Sequence, residues 1–227
     1  MTKTIILSGA TSGLGLHLRD TLSTKGYNII SISRRKDDFP GHRSADISAY
    51  KSLKELYNEL IQEKLDIYGL INCAGIASMN LALTTPHDVT ERIISTNLKG
   101  TIYFNQVFAP LLIRNKIGRI INFSTIAVRL GLAGESVYVA SKAGVEGFSR
   151  ALSNELSPFG ITVNCIAPGP IKTNLLKGVS ETQIKKIVNS QNIKELLQPE
   201  DVTDVVTFLL SNQSSKITGH VFNLGGF

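Results

Sequence analysis

The sequence predicts an α/β fold: a doubly wound, mostly parallel sheet with helices on both faces. Three observations carry this. Short apolar runs without polar alternation recur along the 227 residues, as strands buried on both faces require. Segments with apolar residues at helical spacing separate them, and strict alternation of strand and helix implies crossovers between parallel strands. A glycine-rich turn joins the first strand to the first helix, the place where such folds receive ligands.

Thr4–Ser8 (TIILS) reads as the first strand, and residues 13–25 as a helix with Leu14, Leu18 and Leu22 in register and Gly26 as its stop. Asn28–Ser33 is the second strand. The connection from Ser33 to Asp46 has no amphipathic period; either a loop reaches a short strand around Arg43–Ala45, or this edge of the sheet is reduced. Ala49–Lys64 presents Leu53, Leu56, Leu60 and Ile61 on one helical face, and Gly69–Asn72 is a third buried strand. Thr85 as N-cap and Pro86 at the first helical position open a long helix running to about Lys116. Gly118–Ser124 is a strand, Val137–Phe159 a helix ended by Gly160, and Thr162–Ile166 another strand. A helix follows Pro199, and Gly219–Leu224 is the last strand.

Length and composition fit one domain spanning 1–227, large enough to bury roughly 70–75% of its unfolded surface without staples. Cys73 and Cys165 sit in apolar stretches and read as reduced core thiols of a cytoplasmic protein. The 24 Lys and Arg against 18 Asp and Glu give a net charge of +6, spread along the chain without the dense run of a nucleic-acid arm. No apolar run approaches membrane-spanning length, no leader precedes the first strand, and no metal site is expected.

In Ser8-Gly9-Ala10-Thr11-Ser12-Gly13-Leu14-Gly15, three glycines let the backbone turn sharply and approach a ligand at a helix N-terminus, a site suited to phosphate. After the second strand stands Ser33-Arg34-Arg35-Lys36, with no carboxylate before Asp37. An acidic residue there holds the ribose 2′-hydroxyl of NAD; arginine, with its planar fork of donors, matches a 2′-phosphate, so NADP(H) is expected over NAD(H). Tyr138 and Lys142, four apart at the start of a helix, share one face. A phenol beside a cation is favoured toward ionisation and becomes a general acid–base.

These motifs, with Asn72-Cys73-Ala74-Gly75, Asn97 and Pro168-Gly169-Pro170-Ile171-Lys172-Thr173, occur in an order that resembles the short-chain dehydrogenase/reductase family over nearly the whole chain. The overall look is nearest the 3-oxoacyl-carrier-protein reductase type. The resemblance implies a Rossmann-type subunit, forming a homo-dimer or homo-tetramer, that moves a hydride between a nicotinamide cofactor and a carbonyl or alcohol carbon. It implies that Gly9, Ser12, Gly13, Leu14 and Gly15 hold the pyrophosphate, and that Ser33, Arg34 and Arg35 meet the 2′-phosphate. Asp46 and Ile47 would contact adenine, and Asn72, Ala74 and Gly75 would line the central cofactor site. Pro168, Gly169, Ile171 and Thr173 would bracket the carboxamide. Lys142 would bond the nicotinamide ribose and lower the Tyr138 pKa, and Asn97 would hold a water in the proton relay.

Two departures from the family pattern stand out. The family's catalytic serine falls 13 residues before the tyrosine, where this chain has Thr125, next to Ser124. Neighbouring strand residues face opposite ways, so both hydroxyls reach substrate only if the strand has already ended; Thr125 is assigned the role. The chain also stops directly after the last strand, at Asn223-Leu224-Gly225-Gly226-Phe227. Substrate choice is expected to reside in Ala77–Thr84, Val128–Val137 and a lid at about 175–198, whose apolar residues include Leu175, Leu176, Val179, Ile184, Ile187 and Val188. A carrier-bound acyl chain, a sugar-derived ketone and a secondary-metabolite ketone all remain open. A non-catalytic NADP(H)-binding sensor is the alternative of a different class, opposed by the presence of both Tyr138 and Lys142.

Overall fold

The computed structural model describes residues 2–172 and 180–226. Strands β1 (Thr4–Ser8), β2 (Asn28–Ser33), β3 (His42–Ser44), β4 (Ile67–Asn72), β5 (Gly118–Phe123), β6 (Ile161–Pro168) and β7 (Val221–Leu224) form one seven-stranded sheet. Its order is β3-β2-β1-β4-β5-β6-β7, and every registered pair is parallel. The order reverses beside β1, so the carboxyl ends of β1 and β4 flank the crevice where α/β sheets bind ligands.

Successive strand side chains point to opposite faces, and the core divides accordingly. Ile6, Leu70, Ile120 and Val163 pack on one side against helices α2 (Tyr50–Gln62) and α4 (Gly100–Asn115), through Leu53, Leu56, Phe104, Phe108 and Leu112. Ile5, Leu7, Ile71 and Ile121 pack on the other against α1 (Gly13–Thr24) and α8 (Pro199–Leu210), through Leu18, Leu22, Val202 and Val206. Phe104 and Phe108 are fully buried, with ring centroids 5.3 Å apart in an edge-to-face pair.

The open question at the 34–45 connection resolves as a loop that delivers β3. Residues 31–33 of β2 pair with 42–44, and no helix intervenes. Side-chain contacts from α1 order this loop instead: Arg19 donates to Asp37 at 2.8 Å and lies 4.6 Å from the Phe39 ring centroid.

The long helix after residue 85 departs from expectation twice. Pro86 is itself the N-cap, in extended conformation, ahead of α3 (His87–Ile93). Thr85 is spent on the preceding turn, where its hydroxyl donates to the Leu81 carbonyl at 2.9 Å. The helix then widens into a π-helical stretch, Ile94–Lys99, before α4 resumes. The helix expected over Val137–Phe159 is α6 (Ser136–Leu156) followed by a 3₁₀ turn, closed by Gly160 at φ 72°. Two further helices are present, α5 (Ala127–Leu130) and α7 (Glu181–Asn189), the latter opened by a Ser180/Gln183 capping box.

Candidate active site

A cleft of about 720 Å³ runs across the carboxyl ends of the strands. At one end the turn after β1 packs backbone against backbone. A Cβ on Gly9, at φ 73°, would sit 2.7 Å from Ala74 Cα, and one on Gly15 would sit 2.2 Å from the Gly9 carbonyl oxygen. Only hydrogen fits at either place. Ser12 precedes α1 in extended conformation and makes no side-chain cap, so the first-turn N–H groups, unpaired within the helix, face the cleft beside Gly13 and Leu14. This cradle fits a pyrophosphate.

Further along, Ser33 Oγ donates to the Arg35 carbonyl at 2.8 Å and tightens the turn after β2. That leaves Arg34 and Arg35 exposed on the cleft wall. Asp46 accepts from the Ser48 N–H (2.9 Å) and hydroxyl (2.7 Å), and buried Ile47 reaches the wall beside it.

Asn72 and Asn97 lie behind the wall, not on it: they are 2% and 0% exposed. They belong to a buried polar chain. Ser8 Oγ donates to Asn72 Oδ1, Asn72 Nδ2 to Thr101 Oγ1 at 2.6 Å, and Thr101 Oγ1 to the Asn97 carbonyl at 2.6 Å. Asn97 Oδ1 accepts from the Ile76 N–H at 2.9 Å, while its Nδ2 donates to the Ile76 carbonyl (2.9 Å) and to Ser141 Oγ (3.0 Å). Ser141 Oγ donates in turn to the Tyr138 carbonyl at 2.6 Å. Both side-chain amides, of Asn72 and Asn97, are directed, so the helix bearing Tyr138 is tied to the glycine turn through direct hydrogen bonds. Gly75 completes this corner: a Cβ there would lie 3.2 Å from Lys142 Nζ and 3.4 Å from Asn97 Oδ1.

Tyr138 and Lys142 occupy one face of α6, and both line the cleft. β5 ends at Phe123, so the strand alternation no longer binds Ser124 and Thr125. They nevertheless part company. Ser124 Oγ donates to buried Glu146 at 2.7 Å, and the other carboxylate oxygen of Glu146 pairs with Arg129 at 3.4 Å. Thr125 lines the cleft with Tyr138, and its Oγ1 accepts from the Ala127 N–H at 3.2 Å.

The electrostatics differ from the sequence expectation. Burial pushes the Tyr138 phenol up to about 12, the Glu135 charge adds to this, and the neighbouring Thr125 hydroxyl opposes it. Burial brings the Lys142 ammonium down to about 8. Its Nζ donates to the Phe123 carbonyl at 2.8 Å, and it does not draw the phenol down: desolvation outweighs the expected cation effect. Cys73 also lines the cleft, but burial holds its thiol at about 12, far from the reactive thiolate.

Gly9, Ser12, Gly13, Leu14, Gly15, Ser33, Arg34, Arg35, Asp46, Ile47, Ala74, Gly75, Thr125, Tyr138, Lys142, Pro168, Gly169 and Ile171 all border this single cleft. Thr173 and lid residues Leu175, Leu176 and Val179 lie outside the described residues. Of the expected substrate segments, Ala77, Ser78 and Met79, then Leu132 and Glu135, then Ile187 on α7 reach the wall.

Glu135 was not singled out by the sequence, though its place three residues before Tyr138 was the available signal. It is half-buried, and burial raises its carboxyl above the ordinary carboxylate value. Its ionised form raises the Tyr138 pKa, so Glu135→Gln is expected to lower it. The basic limb of a ketone-reduction pH profile, set by loss of the phenolic proton, then moves to lower pH. Single-turnover rates from pH 6 to 12 check this; an unmoved alkaline decline refutes the coupling.

Among the described residues no helix is long and apolar enough to cross a membrane. A family model described as enoyl-(acyl carrier protein) reductase matches residues 9–226. The chain is 33% identical to the 3-oxoacyl-[acyl-carrier-protein] reductase FabG of Buchnera aphidicola subsp. Schizaphis graminum, over 99% of this chain and 96% of the relative. It is 34% identical to the protein of that name from Rickettsia felis, over 99% and 95%. The solved ligand-free structure of Thermoplasma acidophilum aldohexose dehydrogenase superposes with a TM-score of 0.90 at 26% identity, covering 99% of this chain and 93% of that one. With its glycine turn, Tyr138/Lys142 face and parallel sheet, the chain belongs to the short-chain dehydrogenase/reductase family and is an NAD(P)-dependent oxidoreductase acting between a carbonyl and an alcohol.

Proposed function

We propose that this enzyme uses NADPH in preference to NADH to reduce the ketone of a 3-oxoacyl thioester, carrier-bound, to a secondary alcohol. The observation that carries the chemistry is that Thr125 and Tyr138 line one cleft together with Lys142, while the hydroxyl of neighbouring Ser124 is engaged by Glu146. Both hydroxyls can meet one carbonyl oxygen there: Thr125 donates a hydrogen bond and Tyr138 the proton. When bound, the nicotinamide supplies the hydride. Lys142 would hold its ribose hydroxyls, and Asn97, expected in the relay through a water, acts from behind by fixing Ile76 and Ser141. Arg34 and Arg35 would take the 2′-phosphate, while Pro168, Gly169, Ile171 and Thr173 would bracket the carboxamide. Residues 1–227 act as one domain, and α7 forms the described part of a lid over 175–198, with Ile187 toward the cleft. We infer a homo-oligomeric, cytoplasmic protein, in keeping with the family resemblance and its two free thiols.

The thioester substrate rests on the names of the relatives above. A second reading rests on Glu135: a cleft-lining carboxylate accepts hydrogen bonds from hydroxyls, which suits a sugar-type substrate. The deciding experiment follows loss of NADPH absorbance with acetoacetyl thioesters, simple ketones and, in the oxidative direction, aldohexoses, with NADH or NAD run in parallel. Arg34→Ala is expected to raise the KM for NADPH at least tenfold and leave that for NADH within threefold. Equal turnover of the wild type with NADH overturns the coenzyme reading. Turnover of sugars but not of acetoacetyl thioesters overturns the substrate reading.

A further inference from the structure

The first carboxylate after β2 is Asp37, two residues beyond Arg35. Two residues of chain span at most about 7 Å, so this carboxylate belongs to the neighbourhood of the adenosine ribose. In that neighbourhood a carboxylate accepts from a 2′-hydroxyl and repels a 2′-phosphate, which carries about −1.5 to −2 charges near neutral pH. Yet Asp37 does not line the cleft, whereas Arg34 and Arg35 do. Its Oδ1 accepts from the Arg19 guanidinium at 2.8 Å and from the Phe39 N–H at 2.9 Å.

Arg19 is well placed to keep it there. Its side chain is 11% exposed, and its guanidinium lies 4.6 Å from the Phe39 ring centroid while Nε donates to Asp20 at 2.8 Å. A planar fork fixed by a ring and two carboxylates loses little further freedom in holding either. The same contacts order a connection that has no helix of its own, so the loop and its charge are set together.

We propose that Arg19 is a positioning residue for coenzyme choice: by holding Asp37 against Phe39 it keeps this carboxylate out of the adenosine ribose pocket and leaves Arg34 and Arg35 to read the 2′-phosphate. The inference rests on the coenzyme reading above. It differs from a basic patch alone in making a residue on α1, outside the cleft wall, part of the selectivity.

The test is equilibrium binding of NADPH and NADH to the full chain, read by quenching or enhancement of reduced-nicotinamide fluorescence. Arg19→Gln frees Asp37, and the Kd for NADPH is expected to rise about tenfold while that for NADH stays level or falls. Arg19→Gln combined with Asp37→Asn removes the freed charge and is expected to return the NADPH:NADH Kd ratio to within threefold of wild type. A merely structural role would weaken both coenzymes alike and would not be rescued by the second substitution. Arg19→Lys, which keeps the charge but loses the fork, is expected to shift the ratio in the same direction by a smaller factor and serves if Arg19→Gln fails to fold. An unchanged ratio in the Arg19 variants, with Arg34→Ala raising it, overturns the clamp alone. A ratio unmoved by Arg34→Ala as well overturns the coenzyme reading and the clamp with it.

Discussion

Tyr138→Phe is expected to lower the rate of hydride transfer in ketone reduction by about two to four orders of magnitude, the range supplied by a positioned general acid. The substitution deletes one oxygen from a side chain that is 8% exposed and lies on the cleft wall with Thr125, so the loss falls on proton delivery and not on packing. With the phenol held at about 12 it is protonated across the neutral range, the state reduction requires. Oxidation of the alcohol needs the phenolate, which burial opposes, and its rate is expected to climb with pH toward the alkaline limit. Single-turnover measurement of NADPH oxidation separates chemistry from coenzyme binding. A Tyr138→Phe rate within threefold of wild type would show that another group delivers the proton.

Lys142→Met is expected to abolish turnover and yet raise thermal stability at pH 7. Lys142 is 5% exposed, and burial lowers its pKa from 10.5 to about 8. Between those values the unfolded chain holds the proton and the folded chain does not, so stability rises with pH through the window from about 8 to 10.5. Below pH 8 the fold carries the full penalty of a buried ammonium, about 3 kcal/mol at 1.36 kcal/mol per unit. Methionine removes that penalty with a stem of similar length, but leaves the Phe123 carbonyl without its donor, a loss of about 1–2 kcal/mol. A net gain of about 1–2 kcal/mol corresponds to a rise of roughly 3–6 °C in Tm for a chain of this size. Urea unfolding of both forms from pH 7.5 to 10.5 is the check: the advantage of the variant should shrink as pH rises. A variant less stable than wild type at pH 7 would mean that the ammonium stabilises this fold.

The parts of the fold that could be read in advance are those where one local rule decides. β1 came from an uninterrupted apolar run, and β2 from a run of isoleucines broken only by Ser31, each between polar and glycine boundaries. The ligand-binding turn came from glycines whose missing Cβ is required by backbone contacts of under 3 Å at Gly9 and Gly15. What escaped depends on distant partners. β3 is three residues long and has no buried side chain, so it exists through pairing with β2 and through Arg19 and Asp37, which no local pattern announces. Pro86 was placed one position too far into its helix, because the competing acceptor for Thr85 is the Leu81 carbonyl in a turn the sequence did not reveal. The Tyr138/Lys142 pair was visible as a spacing, but its electrostatics were not: the degree of burial that separates the two pKa values is a property of the assembled site. Glu135 was missed for the same reason, since a carboxylate beside a helix start is ordinary until the cleft forms around it.

The π-helical stretch at Ile94–Lys99 adds a constraint of another kind. A π turn holds one residue more than an α turn, so the long helix through Asn97 is sensitive to residue number and not only to residue type. Losing one residue there would let the turn relax to α with the flanking turns still in phase, and would turn Asn97 away from Ile76 and Ser141 though no contact residue had been substituted. In the descent of such chains this helix would thus tolerate exchange of side chains far better than insertion or deletion, and a length change at 94–99 would mark a rebuilt site more surely than any single substitution.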